Sequence, residues 1–411
     1  MEQARTGSSA SHDAYHKGTA HPGTPPPHGR RPPNAVPDDP ARGAMAELLD
    51  LADVHVDGDR PWDMRISHPE TAERILARGS LGLGESYMDG WWECDRLDEF
   101  FTRILRTRLD ERVGTTALIV QGLRARLFNL QNLRRVWRVG KEHYDLGNDF
   151  FEAMLGPTMA YTCAYWAELG EDASLEAAQS AKLDLICRKL GLAPGMTLLD
   201  IGCGWGSLMK HAAEHYGVSC VGVTISREQA EHGRRLCAGL PVEFRLTDYR
   251  LIEGRFDRIA SVGMFEHVGH KNHRDFFAVA RRCLADDGLF LLHTIGKNLR
   301  RTPTDPWIDR YIFPNGDLPS IGQIADGCED SFVIEDVHSF GSDYDRTLMA
   351  WHANFETAWP AFETRYGERF RRMWRYYLLA CAGTFRARTT QLWQIVLSPC
   401  GVTGGYRRFG T

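Results

Sequence analysis

The stretch Leu198-Leu199-Asp200-Ile201-Gly202-Cys203-Gly204-Trp205-Gly206 constrains the fold more than any other: a short apolar strand runs into three glycines at alternate positions, and a helix begins near Ser207. Glycine adopts backbone torsions that residues with a Cβ avoid, and it lets a bound nucleoside reach the main chain with no side chain in between. The spacing is tighter than the G-x-G-x-x-G dinucleotide fingerprint, and Asp200 stands just before the first glycine. That combination suits a nucleoside carrying no pyrophosphate. A glycine-rich turn of this kind also occurs without a ligand, so the nonapeptide alone marks a candidate site and not a reaction.

With 411 residues, 43% of them hydrophobic, the chain has enough apolar material for a large α/β domain and a smaller one. Its longest apolar runs fall far short of the ~20 residues of a bilayer span. No apolar signal segment follows Met1 to Arg5, so a cytosolic protein is expected. The ten cysteines form no C-x-x-C pair, which argues for reduced thiols and against a disulfide framework or a zinc site. The net charge of −5 offers no global attraction to nucleic acid or to an anionic membrane, so any such contact needs a local patch.

In chain order, residues 1–44 are rich in Pro, Gly, His, Ser and Thr and are expected to be a disordered tail. Residues 45–122 read as a small helical domain, interrupted by a glycine-punctuated, aromatic turn at Gly79–Trp92 that fits either packing against a neighbouring domain or contact with an apolar ligand. Residues 123–138 interleave Arg124, Arg126, Arg134, Arg135 and Arg138 with Leu127, Phe128, Leu130, Leu133, Val136 and Trp137. This basic amphipathic linker fits an ordinary solvated helix and contact with anionic phospholipid headgroups equally well. In 139–411 a helix at Ser174–Leu190 ends at Gly191. Strands at Leu198–Ile201, Cys220–Ile225, Val242–Leu246, Phe256–Val262 and Leu289–Thr294 then alternate with helices, one of them around Asp275–Cys283. The expected fold is α/β, Rossmann-like, with a doubly wound and mostly parallel sheet whose ligands lie beyond the carboxyl ends of the strands.

Those strand ends carry the candidate residues. Thr224 stands where an acid usually holds a ribose diol, so Thr224, Ser226 and Gln229 would share that work, with Ser226 also placed to cap the next helix. Asp248 can accept from an adenine amino group. Glu266, His267, His293, Tyr344 and Cys163 form a second set, suited to holding a small oxyanion or accepting a proton. The run His211-Ala212-Ala213-Glu214-His215 matches H-x-x-E-H but has no third ligand in view, so no metal is expected. Cys381, at the end of an aromatic helix and before the apolar segment Gln391–Leu397, reads by default as a buried inert thiol.

Together these segments resemble the cyclopropane-fatty-acyl-phospholipid synthases, S-adenosylmethionine-dependent methyltransferases similar to the mycolic acid cyclopropane synthases. The resemblance runs from about Pro61 to Leu397. It includes Gly79–Cys94, Gly140–Phe150, Tyr161–Trp166, Leu199–Gly206, Gly222–Ser226, Ser261–Gly269, Leu291–Gly296, Asp305–Pro319, Asp343–Trp351 and Tyr376–Arg388. It implies a helical lipid-presenting domain followed by a catalytic domain that transfers a methylene across a cis double bond of a phospholipid acyl chain, through a carbocation. It implies S-adenosylmethionine contacts from Tyr161, Thr162, Asp200, Gly202, Cys203, Gly204, Gly206, Thr224, Ile225, Ser226, Gln229, Asp248 and Tyr249. It further implies a bicarbonate ion as proton acceptor, held by Cys163, Glu266, His293, the Ile295 backbone and Tyr344, with Cys381 as an active-site residue. Because a thiolate would trap a carbocation, proximity to the site fits Cys381 better than nucleophilic attack. A raised Glu266 pKa, or a hydrogen bond from the bicarbonate hydroxyl, would reconcile a carboxylate with an anion. A homodimer at the inner membrane surface, with no nucleic-acid partner, completes the expectation. Two alternatives stay open: a methyl-branched or exomethylene product, and a catalytically silent lipid-binding protein.

Overall fold

The computed structural model describes residues 39–108, 146–300 and 303–409. The expected tail, apart from its last residues, and the basic linker at 123–138 lie outside the described residues. Pro40–Thr411 form one compact unit. Helix α1, Pro40–Asp50, starts inside the stretch expected to be tail; its leading proline suits a first helical turn, and burial of Met45 and Leu49 anchors it.

The seven-stranded sheet comprises β3 (Thr197–Ile201), β4 (Ser219–Thr224), β5 (Val242–Leu246), β6 (Phe256–Val262), β7 (Leu284–Lys297), β8 (Val333–Ser339) and β9 (Thr390–Ser398), in the order β5-β4-β3-β6-β7-β9-β8. β5 through β7 are parallel, while β9 pairs antiparallel with both β7 and β8. From β3 the chain winds outward to β5, then crosses back to β6. The switch point between β3 and β6 is where such sheets open a ligand crevice. Strand residues such as Leu198, Leu199, Ile201, Ile259 and Leu291 are fully buried because helices cover both faces. One face carries α5 (Leu175–Lys189), whose N-cap Ser174 accepts from the Ala177 amide at 3.1 Å, and α6 (Ser207–Tyr216). The other carries α8 (His273–Cys283) and α10 (Ile321–Cys328). Helix α7 (Arg227–Leu236) follows β4.

A third cluster lies above the strand ends. It unites α1, α2 (Thr71–Met88) and α3 (Leu97–Arg106) with α4 (Asn148–Leu155), α9 (Pro306–Tyr311), α11 (Ser342–Ala358) and α12 (Glu363–Arg386). The segment read as a turn at Gly79–Trp92 is largely helical, so that expectation is corrected. Only Gly79, with φ +56°, kinks α2. A Cβ on Gly82 would come within 2.3 Å of the Arg74 carbonyl, and one on Gly84 within 2.4 Å of the Trp307 ring. These two glycines serve close packing and do not make a turn. The short pair β1 (Arg65–Ile66) and β2 (Trp92–Glu93) closes this layer.

Phe150 on α4 sits at the centre of the cluster, 1% exposed, with the rings of Phe151, Phe355, Phe362, Tyr366, Phe370 and Trp374 centred 5.2 to 6.0 Å away. Phe150→Ala is expected to cost about 3–5 kcal/mol of stability, read from the midpoint of urea unfolding. A loss below about 1 kcal/mol would show that the surrounding rings collapse into the space.

Candidate active site

A cavity of about 670 Å³ opens at the ends of β3, β4, β5 and β6 and continues between α9, α11 and α12. At the nucleoside end, Gly202 has φ +85° and its Cα faces the Met264 side chain, where a Cβ would lie 2.6 Å away. Gly204, with φ +54°, opens onto space. Gly206 lies off the cavity wall, and a Cβ there would stand 2.5 Å from the Phe244 ring. Its role is to pack the loop on β5. The Asp200 carboxylate is buried, and its Oδ1 lacks a hydrogen-bond partner. Burial pushes its pKa to about 7, against the pull of the nearby Lys182.

Lys182 and Gln179, both buried on α5, fix the loop that carries Tyr161 and Thr162. The Lys182 ammonium donates to Thr162 Oγ1 at 2.8 Å, and the Gln179 amide donates to the carbonyls of Ala160 and Thr162 at 3.2 and 2.8 Å. Burial lowers the Lys182 pKa to about 8. The Tyr161 hydroxyl meets that of Tyr377 at 2.9 Å. After β4, the Thr224 hydroxyl donates to Gln229 Oε1 at 3.1 Å, and Ser226 Oγ caps α7 by accepting from the backbone N–H of Gln229 at 3.3 Å. Ile225, Cys203 and Tyr249 line the same end. Asp248 is gripped by the Arg250 guanidinium, Nε to Oδ1 and Nη2 to Oδ2, both at 2.8 Å.

The second set also gathers at the wall. Glu266 Oε1 accepts the Ile295 N–H at 2.7 Å, while Oε2 is buried without a partner. Burial raises the Glu266 pKa to about 7 despite the Ile295 amide. His293 lies on β7 and not in a loop. Its Nδ1 meets Gln394 Nε2 at 3.2 Å, and its Nε2 is buried without a partner. Burial holds its pKa far below the usual imidazole range. The Tyr344 ring stacks on Phe385, centroids 4.5 Å apart, and burial holds its hydroxyl pKa well above the usual tyrosine range. His267 is kept neutral by burial, which lowers its pKa to about 4. Cys381 reaches the wall as a thiol that burial pushes to about 12. Cys163 is fully buried behind the wall, its Sγ directed to the Ala164 carbonyl at 3.2 Å. The Ile295 amide is engaged by Glu266, so it is not a free donor to an anion.

Beyond these residues the cavity is walled by Phe151, Ile308, Tyr311, Phe313, Phe370 and Trp374, an apolar and aromatic channel. Among the described residues no group of three or more His, Cys, Asp or Glu side chains has the arrangement of a metal site. Sequence reasoning missed Lys182 and Lys189. The available signal was their register on α5: residues 175, 178, 182, 186 and 189 form one helical stripe, so both lysines face inward with the apolar side chains.

Comparison with known proteins agrees with this geometry. Residues 131–395 match the family model described as mycolic acid cyclopropane synthetase. The chain is 55% identical over 376 residues to the cyclopropane-fatty-acyl-phospholipid synthase of Escherichia coli, covering 91% of this chain and 97% of that one. The solved cyclopropane synthase MmaA2 from Mycobacterium tuberculosis shares 37% identity at a TM-score of 0.59, covering 64% of this chain and 97% of that one. Coclaurine N-methyltransferase bound to N-methylheliamine and SAH, 23% identical with a TM-score of 0.64 over 77% of this chain and 98% of that one, shares the fold. An S-adenosylmethionine-dependent methyltransferase by fold and kinship, the chain belongs to the mycolic acid cyclopropane synthetase family.

Proposed function

We propose that this enzyme transfers a methylene from S-adenosylmethionine to the cis double bond of a phospholipid acyl chain and leaves a cyclopropane ring. The observation that carries the reading is a single cavity whose wall includes the glycine loop with Asp200, the unpartnered Glu266 and His293 atoms, and an aromatic, apolar channel. The 55% identity to a protein named for this reaction supports it.

S-adenosylmethionine, when bound, supplies an electrophilic methyl group. Asp200 and the backbone of Gly202 and Gly204 fit that cation, the first by charge and the others by open backbone. The alkene carbon forms its new bond as the methyl–sulfur bond breaks, and positive charge develops on the acyl chain. The faces of Tyr161, Tyr344 and Phe385 stabilise that charge, and the apolar wall excludes the water that would quench it. A proton then leaves the transferred methyl, and its bonding pair closes the ring. Bicarbonate, when bound, supplies the proton acceptor. Glu266 and His293 fit it: near pH 7 a protonated Glu266 donates from Oε2, and a neutral His293 presents Nε2. In that protonated form the Glu266 carboxyl presents no charge to the anion. Tyr344 adds a third polar group, while Cys163 supports the wall from behind.

The enzyme works at a phospholipid bilayer surface as a homodimer in this reading; no described helix is long and apolar enough to cross a membrane. The direct test incubates the protein with vesicles of cis-unsaturated phospholipid and S-adenosylmethionine, with and without bicarbonate. Mass spectrometry should find acyl chains heavier by one methylene, formed faster with bicarbonate. Unchanged lipid would refute the reading. Because its thiol stays protonated, Cys381→Ala should keep product formation within about tenfold of the parent, measured in the same assay. A loss beyond about 10³-fold would assign the sulfur a chemical part.

A further inference from the structure

A row of polar side chains, buried at His293 and Gln394 and half-buried at His338, crosses the far half of the sheet, where an apolar row would be the default. His293 on β7, Gln394 on β9 and His338 on β8 are register partners across adjacent strands. Lys189, the last residue of α5, reaches into this row. Its Nζ lies 2.9 Å from Gln394 Oε1 and 2.8 Å from His338 Nδ1. Gln394 is fully buried, and its Nε2 meets His293 Nδ1 at 3.2 Å. The row ends at His293 Nε2, which is buried, has no partner, and belongs to a residue of the cavity wall.

The chemistry of each link orients the next. Burial lowers the Lys189 pKa to about 7, yet ammonium and neutral amine alike donate to Gln394 Oε1, an oxygen that only accepts, so the amide oxygen of Gln394 turns to Lys189. The amide NH₂ of Gln394 then faces His293, and an NH₂ only donates. His293 Nδ1 must accept, which leaves the ring proton of a neutral imidazole on Nε2. Tyr165 and Phe340 pack around His338, and Phe340 also packs against His293, so the row is enclosed by aromatic rings. A buried polar row of this kind is costly unless fully satisfied. At the cavity it ends on a buried nitrogen with no partner.

We infer that Lys189 and Gln394 are positioning residues that lock His293 as the Nε2–H tautomer, so that it enters the cavity as a hydrogen-bond donor and not as a base. His293 therefore grips one oxygen of the small anion, and the anion, not the imidazole, accepts the proton. This kinetic consequence rests on the proposed reaction, but the tautomer does not.

The test labels histidine with ¹⁵N and reads the His293 ring by long-range ¹H–¹⁵N correlation, assigned by its loss in His293→Gln. The parent should show a pyrrole-like Nε2 and a pyridine-like Nδ1. Gln394→Glu replaces the donor with a carboxylate that accepts from Nδ1–H. The ring should then switch to the Nδ1–H tautomer, and kcat should fall at least about tenfold with KM for S-adenosylmethionine changed less than about twofold. A parent ring already in the Nδ1–H form, or Gln394→Glu with the Nε2–H form and full kcat, would overturn the inference. If that variant does not fold, Lys189→Met provides the second reading. Freed from the ammonium, the amide should flip, and both tautomers should be populated; a single unchanged Nε2–H form would overturn the role of Lys189. A parent that shows the expected tautomer but makes no cyclopropane lipid would refute the proposed reaction and leave the tautomer assignment standing.

Discussion

Glu266→Ala is expected to lower product formation about 10²–10⁴-fold while S-adenosylmethionine binds within about threefold of the parent. Two consequences combine in this variant. The Ile295 amide loses its acceptor at 2.7 Å, so the end of β7 is no longer held against the 3₁₀ turn Phe265–His267 that carries Glu266. The cavity also loses Oε2, a buried atom with no protein partner. Glu266→Gln separates the two: its carbonyl still accepts from Ile295, and its NH₂ still donates to an anion. It should therefore recover most of the turnover lost in the alanine variant. Vesicle assays that follow kcat alongside calorimetric Kd values for S-adenosylmethionine make the distinction. Full turnover in Glu266→Ala would remove this residue from the chemistry.

The second large effect is on cofactor affinity. Asp200→Asn should weaken S-adenosylmethionine binding about 10–100-fold, since a hydrogen bond to a buried charge contributes about 1.5–3 kcal/mol. The pH dependence has a definite sign. With a pKa raised to about 7 in the free protein, Asp200 is largely neutral below that pH and attracts a cation weakly. Affinity should rise as pH increases through 7 and level off once the carboxylate is ionised. Lys182, at about 8, works in the same direction, because losing its proton removes a repulsive charge near the bound sulfonium. Titration calorimetry from pH 6 to 8.5 should show this rise in the parent and a much flatter profile in Asp200→Asn. A parent affinity that falls with pH would contradict the electrostatic account.

Local pattern reached far into this fold. β5 and β6 run over the residues expected from their apolar pattern, β3 starts one residue earlier, and β4 is shifted by one residue at each end, because parallel strands buried on both faces leave nearly continuous apolar signatures. The strand expected at Leu289–Thr294 is the middle of a longer β7, whose continuation to Lys297 follows from pairing with β9 at the far end of the chain. Such a partner is not written in the local sequence. The glycines at 79, 82 and 84 misled for a related reason: glycine marks turns, yet here two of the three mark where α2 meets its own earlier turn and Trp307 on α9. Most candidate site residues follow parallel strands and so were legible from topology alone. Lys182 and Lys189 were marked only by their register on α5, and Gln394 not at all, since a buried lysine or glutamine looks like a surface residue until its neighbours are known.

The most direct test of the central claim uses S-adenosylmethionine bearing a fully deuterated methyl group, cis-unsaturated phospholipid vesicles, and mass spectrometry before and after mild hydrogenation of the product. Methylene transfer with loss of one methyl proton predicts an added carbon that keeps two deuterons, in a ring that survives conditions reducing an exomethylene double bond. An added carbon that keeps all three deuterons, or one that takes up hydrogen under those conditions, would contradict ring closure.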